Sequence, residues 1–308
     1  MTRVALLGLG EVGRTFAEDL RAAGIRDLTA WDTAFVEPAS AASRNARELG
    51  LATAGSGPAA VAGADLVVSA VTAAQCVAAA ESVLPGLVPV TWFFDLNSSS
   101  PGHKRAAAAA VDGAGSRYVE AALMSPIGPK RLRSPFLLGG PYARDFASAA
   151  AGFGIDDVTV VSDDVGRAAA TKLCRSVVVK GLESLLTESL LAARVHGVER
   201  EVLDSLPNIL PPADWEAVAG YFISRSLQHG KRRSEEMEEA AATVAEAGIE
   251  PWMSAAAVER QRWAARFPQA VEERLQLTLA PLVVRGRGRR VVAVAVDDHA
   301  GASSESSS

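Results

Sequence analysis

Short apolar runs alternate with longer amphipathic stretches through the first half of the chain, and the alternation stops near residue 161. The runs at 3–8, 28–32, 51–54, 66–71, 90–95, 117–121, 135–139 and 157–161 are rich in Val, Leu and Phe and have the length of strands. Between them, 12–23, 38–49, 73–84, 101–112 and 142–151 carry helical patterns. Near-continuous apolar strands separated by helices imply a mostly parallel sheet covered on both faces, an α/β domain that is doubly wound. Ligands of such sheets bind at the carboxyl ends of the strands.

From Arg167 to His196 the pattern is different. Only one glycine, Gly181, and no proline interrupt these residues, and Gly197 supplies a C-cap. The spacing predicts one helix of about 30 residues, on the order of 45 Å long. Such a helix links domains or crosses a dimer interface. Further helical segments at about 199–206, 213–247 and 251–266 make the second half all-α. The resulting division is a dinucleotide-binding domain over 1–164, a helical substrate and dimerisation domain over 165–280, and a remainder at 281–308. In that remainder, 283–296 predicts a hairpin with Arg-Gly repeats at its turn, and 301–308 is a low-complexity tail expected to be disordered.

Composition narrows the partners. The chain has 308 residues, 49% hydrophobic and 22% charged, with a formal net charge of −5. This acidic balance argues against general nucleic-acid binding; the arginines of 285–290 read as a solvated turn rather than an RG-rich nucleic-acid element. The apolar start is too short for a leader and is broken by Glu11 and Arg14, and no stretch reaches the roughly 18 apolar residues of a membrane span. Cys76 and Cys174 lie in apolar helical stretches and are expected to be reduced core thiols of a cytoplasmic protein. No CxxC or Cys/His cluster points to a metal.

Four stretches carry the chemistry. Gly8-Leu9-Gly10-Glu11-Val12-Gly13 directly follows the first strand and opens the first helix. In that context Gly8 permits a tight turn, Gly10 lets backbone approach a pyrophosphate, and Gly13 lets the helix pack on the strand. The helix N-terminus offers N–H groups and a positive dipole end to the anion. Asp32 ends the next strand 19 residues after Gly13, the place of a ribose-binding carboxylate. It would accept from a 2′-OH and repel a 2′-phosphate, which favours NAD, while Arg44 keeps NADP open. Val71-Thr72 ends the fourth strand, where backbone faces the cofactor ribose; Thr72 also reads as a helix N-cap. Asp95-Leu-Asn97-Ser98-Ser99-Ser100-Pro101 sits where the nicotinamide would lie, with Ser100 as the cap of the helix that Pro101 begins. Lys172 lies within an apolar helix just after the sheet domain, on one stripe with Ser176, Glu183 and Thr187. Desolvation moves a lysine toward the working range of an acid/base; the bland alternative is a surface lysine on an amphipathic helix.

These motifs, with Gly166-x5-Lys172, resemble the β-hydroxyacid dehydrogenases, the group containing 3-hydroxyisobutyrate and 6-phosphogluconate dehydrogenases. The helical half is similar to the phosphogluconate-dehydrogenase-like domain of a little-characterised branch, on Lys172-Leu-Cys-Arg-Ser-Val-Val-Val-Lys180-Gly-Leu-Glu183 and His229-Gly-Lys-Arg-Arg233-Ser-Glu-Glu-Met237. The resemblance implies an NAD(P)-dependent oxidoreductase acting on a hydroxy acid or its carbonyl counterpart, with Lys172 as general acid/base. It also implies cofactor contacts at Asn97 and substrate contacts at Asn97 and Ser98. The family's asparagine four residues after the lysine is here Ser176. Its substrate-loop serine aligns with Met124, with Ser125 as the neighbouring substitute. Arg225, His229, Arg232 and Glu236 share a helix face suited to a carboxylate, phosphate or phosphonate, or to a solvated salt-bridged surface. Lys130, Arg131, Arg133 and Arg175 add positive charge around the expected substrate. The expected assembly is a homodimer. An imine reductase, which shares this architecture, and a non-catalytic dinucleotide sensor are the rival readings.

Overall fold

The computed structural model describes residues 2–208, 210, 214–267, 283–286 and 289–292. It divides into two units: residues 1–176 with 238–251, and 177–237 with the residues from Trp252 onward.

The first unit is built on an eight-stranded sheet. Strands β1 (Arg3–Leu7), β2 (Asp27–Trp31), β3 (Ala52–Thr53), β4 (Leu66–Ser69), β5 (Trp92–Asp95), β6 (Arg117–Leu123), β7 (Phe136–Gly139) and β8 (Val158–Ser162) are ordered β3-β2-β1-β4-β5-β6-β7-β8. Strands β1 to β6 run parallel. Strand β7 pairs antiparallel with β6, and β8 follows β7 in parallel, so the last two strands are reversed relative to the rest. The helices of this unit are α1 (Glu11–Ala22), α2 (Ala41–Leu49), α3 (Gly57–Val61), α4 (Cys76–Val83), α5 (Pro101–Gly113), α6 (Ile127–Lys130) and α7 (Ala143–Ala150). The order reverses between β1 and β4, which marks the crevice where a doubly wound sheet binds its ligand.

Both faces of the central strands are buried, as their apolar runs require. Because side chains alternate along a strand, neighbours in β5 enter different cores. Phe94 packs with Phe16, Phe136 and Phe146 on one face, its ring 4.7 Å from that of Phe146. Phe93 stacks on Tyr118 on the other, at 6.0 Å. Each such aromatic contributes about 1.5–3 kcal/mol by leaving water.

Helix α8 (Arg167–His196) spans the residues expected of it and begins in the first unit. The second unit continues with α9 (Glu199–Ser205), α10 (Trp215–Glu246), whose end returns to the first unit, and α11 (Trp252–Ala264). Its apolar core is small, with Leu186, Leu190 and Ala219 against Phe222 and Ile223. A Cβ on Gly230 would lie 2.7 Å from Ala265 N and Gln261 O, so a glycine is what lets α11 lie this close to α10. Strands β9 (Val283–Gly286) and β10 (Arg289–Val292) pair antiparallel, the expected hairpin, while its turn and the tail at 301–308 lie outside the described residues. Among the described residues no helix is long and apolar enough to cross a membrane.

Candidate active site

The glycine turn takes the conformation its spacing requires. Gly8 has φ +87°, and a Cβ there would lie 2.4 Å from Ala70 O. A Cβ on Gly13 would sit 2.1 Å from Gly8 O. Gly10 is the opposite case, because nothing lies within 4 Å of where its Cβ would be. The first two glycines are demanded by the protein itself, and the third leaves open backbone. Gly10 is also the N-cap of α1 and has no side chain with which to cap it, so the positive end of the helix is presented at Glu11, Val12 and Gly13.

Asp32 ties this turn to the end of β2. Its Oδ2 accepts the Leu9 N–H and its Oδ1 the Ala34 N–H, each at 2.8 Å. The carboxylate lines a cavity of about 300 Å³ together with Gly8, Trp31, Thr33, Val71 and Thr72. Thr72 makes no capping hydrogen bond to the turn that follows it, so the expected N-cap is not formed, and the residue lines the same cavity. Open backbone at Gly10, an uncapped helix N-terminus and a cavity beside Asp32 fit a dinucleotide. Arg44 donates to its own loop at Ala39 O.

Beyond the end of β5 the polar cluster divides its labour. Asn97 is buried; its Oδ1 accepts the Val71 N–H at 2.7 Å and its amide donates to Ser69 Oγ at 2.9 Å. That side chain therefore fixes the Val71–Thr72 backbone. Ser100 caps α5, its hydroxyl accepting the His103 N–H at 3.3 Å. Ser98 lies between them, and its Oγ accepts from Lys172 Nζ at 2.5 Å.

Two helix starts bring this pair together. Gly166 (φ +108°) precedes α8, and a Cβ there would lie 3.1 Å from Pro101 Cβ at the start of α5. The buried Glu120 of β6 receives two buried amides of the α8 start, Gly166 N–H on Oε2 and Ala169 N–H on Oε1, each at 2.7 Å. Lys172 follows Ala169 by three residues and is half-buried, and Ser176 one turn on is buried. In the loop after β6 the Met124 carbonyl accepts from Arg175 at 3.0 Å. Ser125 Oγ is buried without a hydrogen-bond partner.

Some expected positive charges are used elsewhere. Arg131 sits at φ +55° and pairs with Glu18 and Asp19 of α1 at 2.7 and 2.6 Å. In the second unit Arg232 is exposed, 4.0 Å from Glu236, and His229 is half-buried. Its neighbour Arg233 turns inward, pairing with both oxygens of Glu183 at 2.6 Å, with Gln261 Nε2 donating to the same carboxylate at 3.1 Å. Burial raises the Glu183 carboxyl, outweighing Arg233 and Lys180, and lowers the Arg233 guanidinium.

A buried polar set beneath the site was not foreseen. Asp95 receives Lys104 Nζ at 2.9 Å, Tyr118 Oη at 2.6 Å, Cys76 Sγ at 3.2 Å and the Asn97 N–H at 2.8 Å. Burial alone would lower the Lys104 ammonium; Asp95, with Cys76 and Glu120, outweighs it and holds the lysine raised. Burial pushes the Cys76 thiol up to about 12 and the Tyr118 hydroxyl well above its usual value, each with help from Asp95. The available signal was Lys104 itself, in helical register with the apolar Ala107, Ala108 and Val111. Cys174 corrects another expectation. It is exposed, not a core thiol, because α8 turns that face outward.

Comparison with known proteins agrees with this geometry. Residues 3–125 match the NAD binding domain of 6-phosphogluconate dehydrogenase, and 193–264 match a domain of unknown function, DUF1932. A conserved hypothetical protein from Sinorhizobium meliloti 1021 shares 36% identity over 85% of this chain and 88% of its own, with a TM-score of 0.69. A conserved protein of unknown function, whose structure reveals similarity with 3-hydroxyacid dehydrogenases, shares 27% over 88% and 98% (TM-score 0.67). Mycobacterium tuberculosis 3-hydroxyisobutyrate dehydrogenase, solved with L-serine, has the same fold at 21% identity over 90% and 100% (TM-score 0.68). No protein of curated function matches the sequence. With its glycine turn, its NAD-binding domain and its relatives, the chain belongs to the β-hydroxyacid dehydrogenase family.

Proposed function

We propose that the protein transfers hydride between NAD and a small anionic hydroxy acid or its carbonyl counterpart, with Lys172 as the general acid/base. The observation that carries this is the 2.5 Å contact from Lys172 Nζ to Ser98 Oγ, beyond the carboxyl end of the strand beside the dinucleotide crevice. When bound, the nicotinamide supplies or takes the hydride. Lys172 gives a proton to the substrate oxygen in reduction and takes one in oxidation, and its ammonium stabilises the alkoxide that develops. Ser98 aims the amine, and Asn97 holds the strand ends that frame the ring.

The proposed contacts to the substrate anion within the first unit are Ser98, Ser125 and Ser176. The unpartnered Ser125 hydroxyl supports that set, since a buried donor without an acceptor costs free energy that a bound carboxylate removes. Asp32 supports NAD over NADP through its charge at the cavity wall. Homodimerisation through α8 is supported by an exposed apolar stripe, Val178, Leu182 and Leu185, at helical spacing.

A panel of small anionic 3-hydroxy acids, tested with NAD and NADP in parallel and beside cyclic imines, checks the reading. NAD-dependent turnover of an anionic alcohol is the expected result; turnover of the imines alone contradicts it.

A further inference from the structure

The Ser98–Lys172 contact depends on a backbone segment that is buried before the helix begins. Ser99 and Ser100 are 0% and 2% exposed, so the Ser100 N–H cannot reach water and needs an acceptor inside the protein. No neighbour in sequence provides one. The acceptor is Glu239, 139 residues away on the last turns of α10, whose Oε2 lies 2.6 Å from Ser100 N. The same oxygen is 3.1 Å from His103 Nδ1, in the first turn of α5. On the other side of Ser98, the Asn97 N–H is fixed by Asp95 Oδ1 at 2.8 Å. Ser98 is thus held between two backbone amides, each bound by a buried carboxylate.

We propose that Glu239 is a positioning residue for the Ser98–Lys172 pair, acting through the Ser100 backbone. This rests on the reading of Lys172 as the proton donor. Glu239 does not touch Lys172 among the contacts described; it sets where the Ser98 hydroxyl stands, and the hydroxyl sets the amine. Glu246, seven residues further along the same helix, supplies a built-in comparison. It receives the Gly102 N–H at 2.9 and 3.1 Å and pairs with Arg105 at 3.4 Å, but at an exposed place beyond the cap. Glu246 therefore docks α10 on α5 without touching the segment that carries Ser98. Docking and positioning are separable in this molecule.

The test reads Lys172 directly and needs no substrate. The full-length protein is acetylated with acetic anhydride, and the labelling rate at Lys172 is compared with that at the exposed Lys130 by peptide mass spectrometry. In Glu239→Ala the relative rate at Lys172 rises at least about threefold, because an amine released from its hydroxyl partner loses protection. In Glu239→Gln, whose side-chain oxygen still accepts the Ser100 N–H, the rate stays near that of the wild type. Glu246→Ala leaves Lys172 unchanged. Should Glu239→Ala fail to fold, Ser100→Pro removes the same hydrogen bond from its other end, at a φ of −61° that proline adopts, and must raise the rate above that of Ser100→Ala, which deletes only the capping hydroxyl. An unchanged Lys172 rate in Glu239→Ala, or an equal rise in Glu246→Ala, overturns the proposal. Turnover retained in Lys172→Ala would instead refute the assignment of Lys172 as acid/base, and the labelling result would stand apart from it.

Discussion

Cys76 and Cys174 show at the scale of one residue how position decides chemistry. Cys76 donates its thiol to Asp95 in a fully buried set, and burial pushes it up to about 12. Cys174 lies on the open face of α8. At pH 8 iodoacetamide should alkylate Cys174 and spare Cys76 in the folded protein, since the thiolate is the reactive form. Equal alkylation of the two, followed by mass spectrometry, would contradict the burial of Asp95 and its partners. The Cys76 thiol is raised in the folded state above its ordinary value near 9, so its contribution is complete below pH 9 and is lost as pH climbs toward about 12. The glycine turn was legible at this scale because the three glycines stand at a fixed short spacing between a strand and a helix, and Gly13 meets Gly8 itself. Lys172 was singled out because it is a lysine in an apolar helical stretch following the cofactor motif, and the structure gives it the Ser98 contact.

Among elements, the start of α8 is the clearest case of a long helix depending on a remote side chain. Gly166 has no side chain to cap it, and Glu120 accepts two of its amides from a strand 46 and 49 residues earlier. Replacing Glu120 by Ala leaves both N–H groups buried and unpaired, at about 1–3 kcal/mol each, and removes a carboxylate from the positive helix end. A fall in the urea midpoint equivalent to about 2–5 kcal/mol is expected, with Glu120→Gln between this variant and the wild type. A change in Glu120→Ala below about 0.5 kcal/mol would show that α8 is held by something else. Nothing local in sequence announces such pairings, which is why Glu120 and Glu239 escaped the sequence reading. The strands fared better. Burial on both faces makes β1, β4 and β5 continuous apolar runs, and their limits came within a few residues. The reversal of β7 was invisible for the opposite reason, since an apolar run carries no direction. Helix α3 has no counterpart in the sequence reading, because five residues are too few to show a helical period.

For the molecule as a whole, the fold and the family follow from a cofactor turn at one end of the sheet and a helical region beyond Ser176, while the substrate does not. The polar side chains of the second unit are largely committed to one another: Glu183 with Arg233 and Gln261, and Lys180 with Glu236. Lys172, rather than any one anion contact, is therefore the residue on which the proposed chemistry depends. The most direct measurement compares Lys172→Ala with the wild type for turnover of the best anionic hydroxy acid and, separately, for NADH affinity by fluorescence titration. Loss of a general acid/base predicts a fall in kcat of at least about 100-fold with NADH affinity unchanged. Turnover within a few-fold of the wild type, at equal NADH affinity, would contradict it.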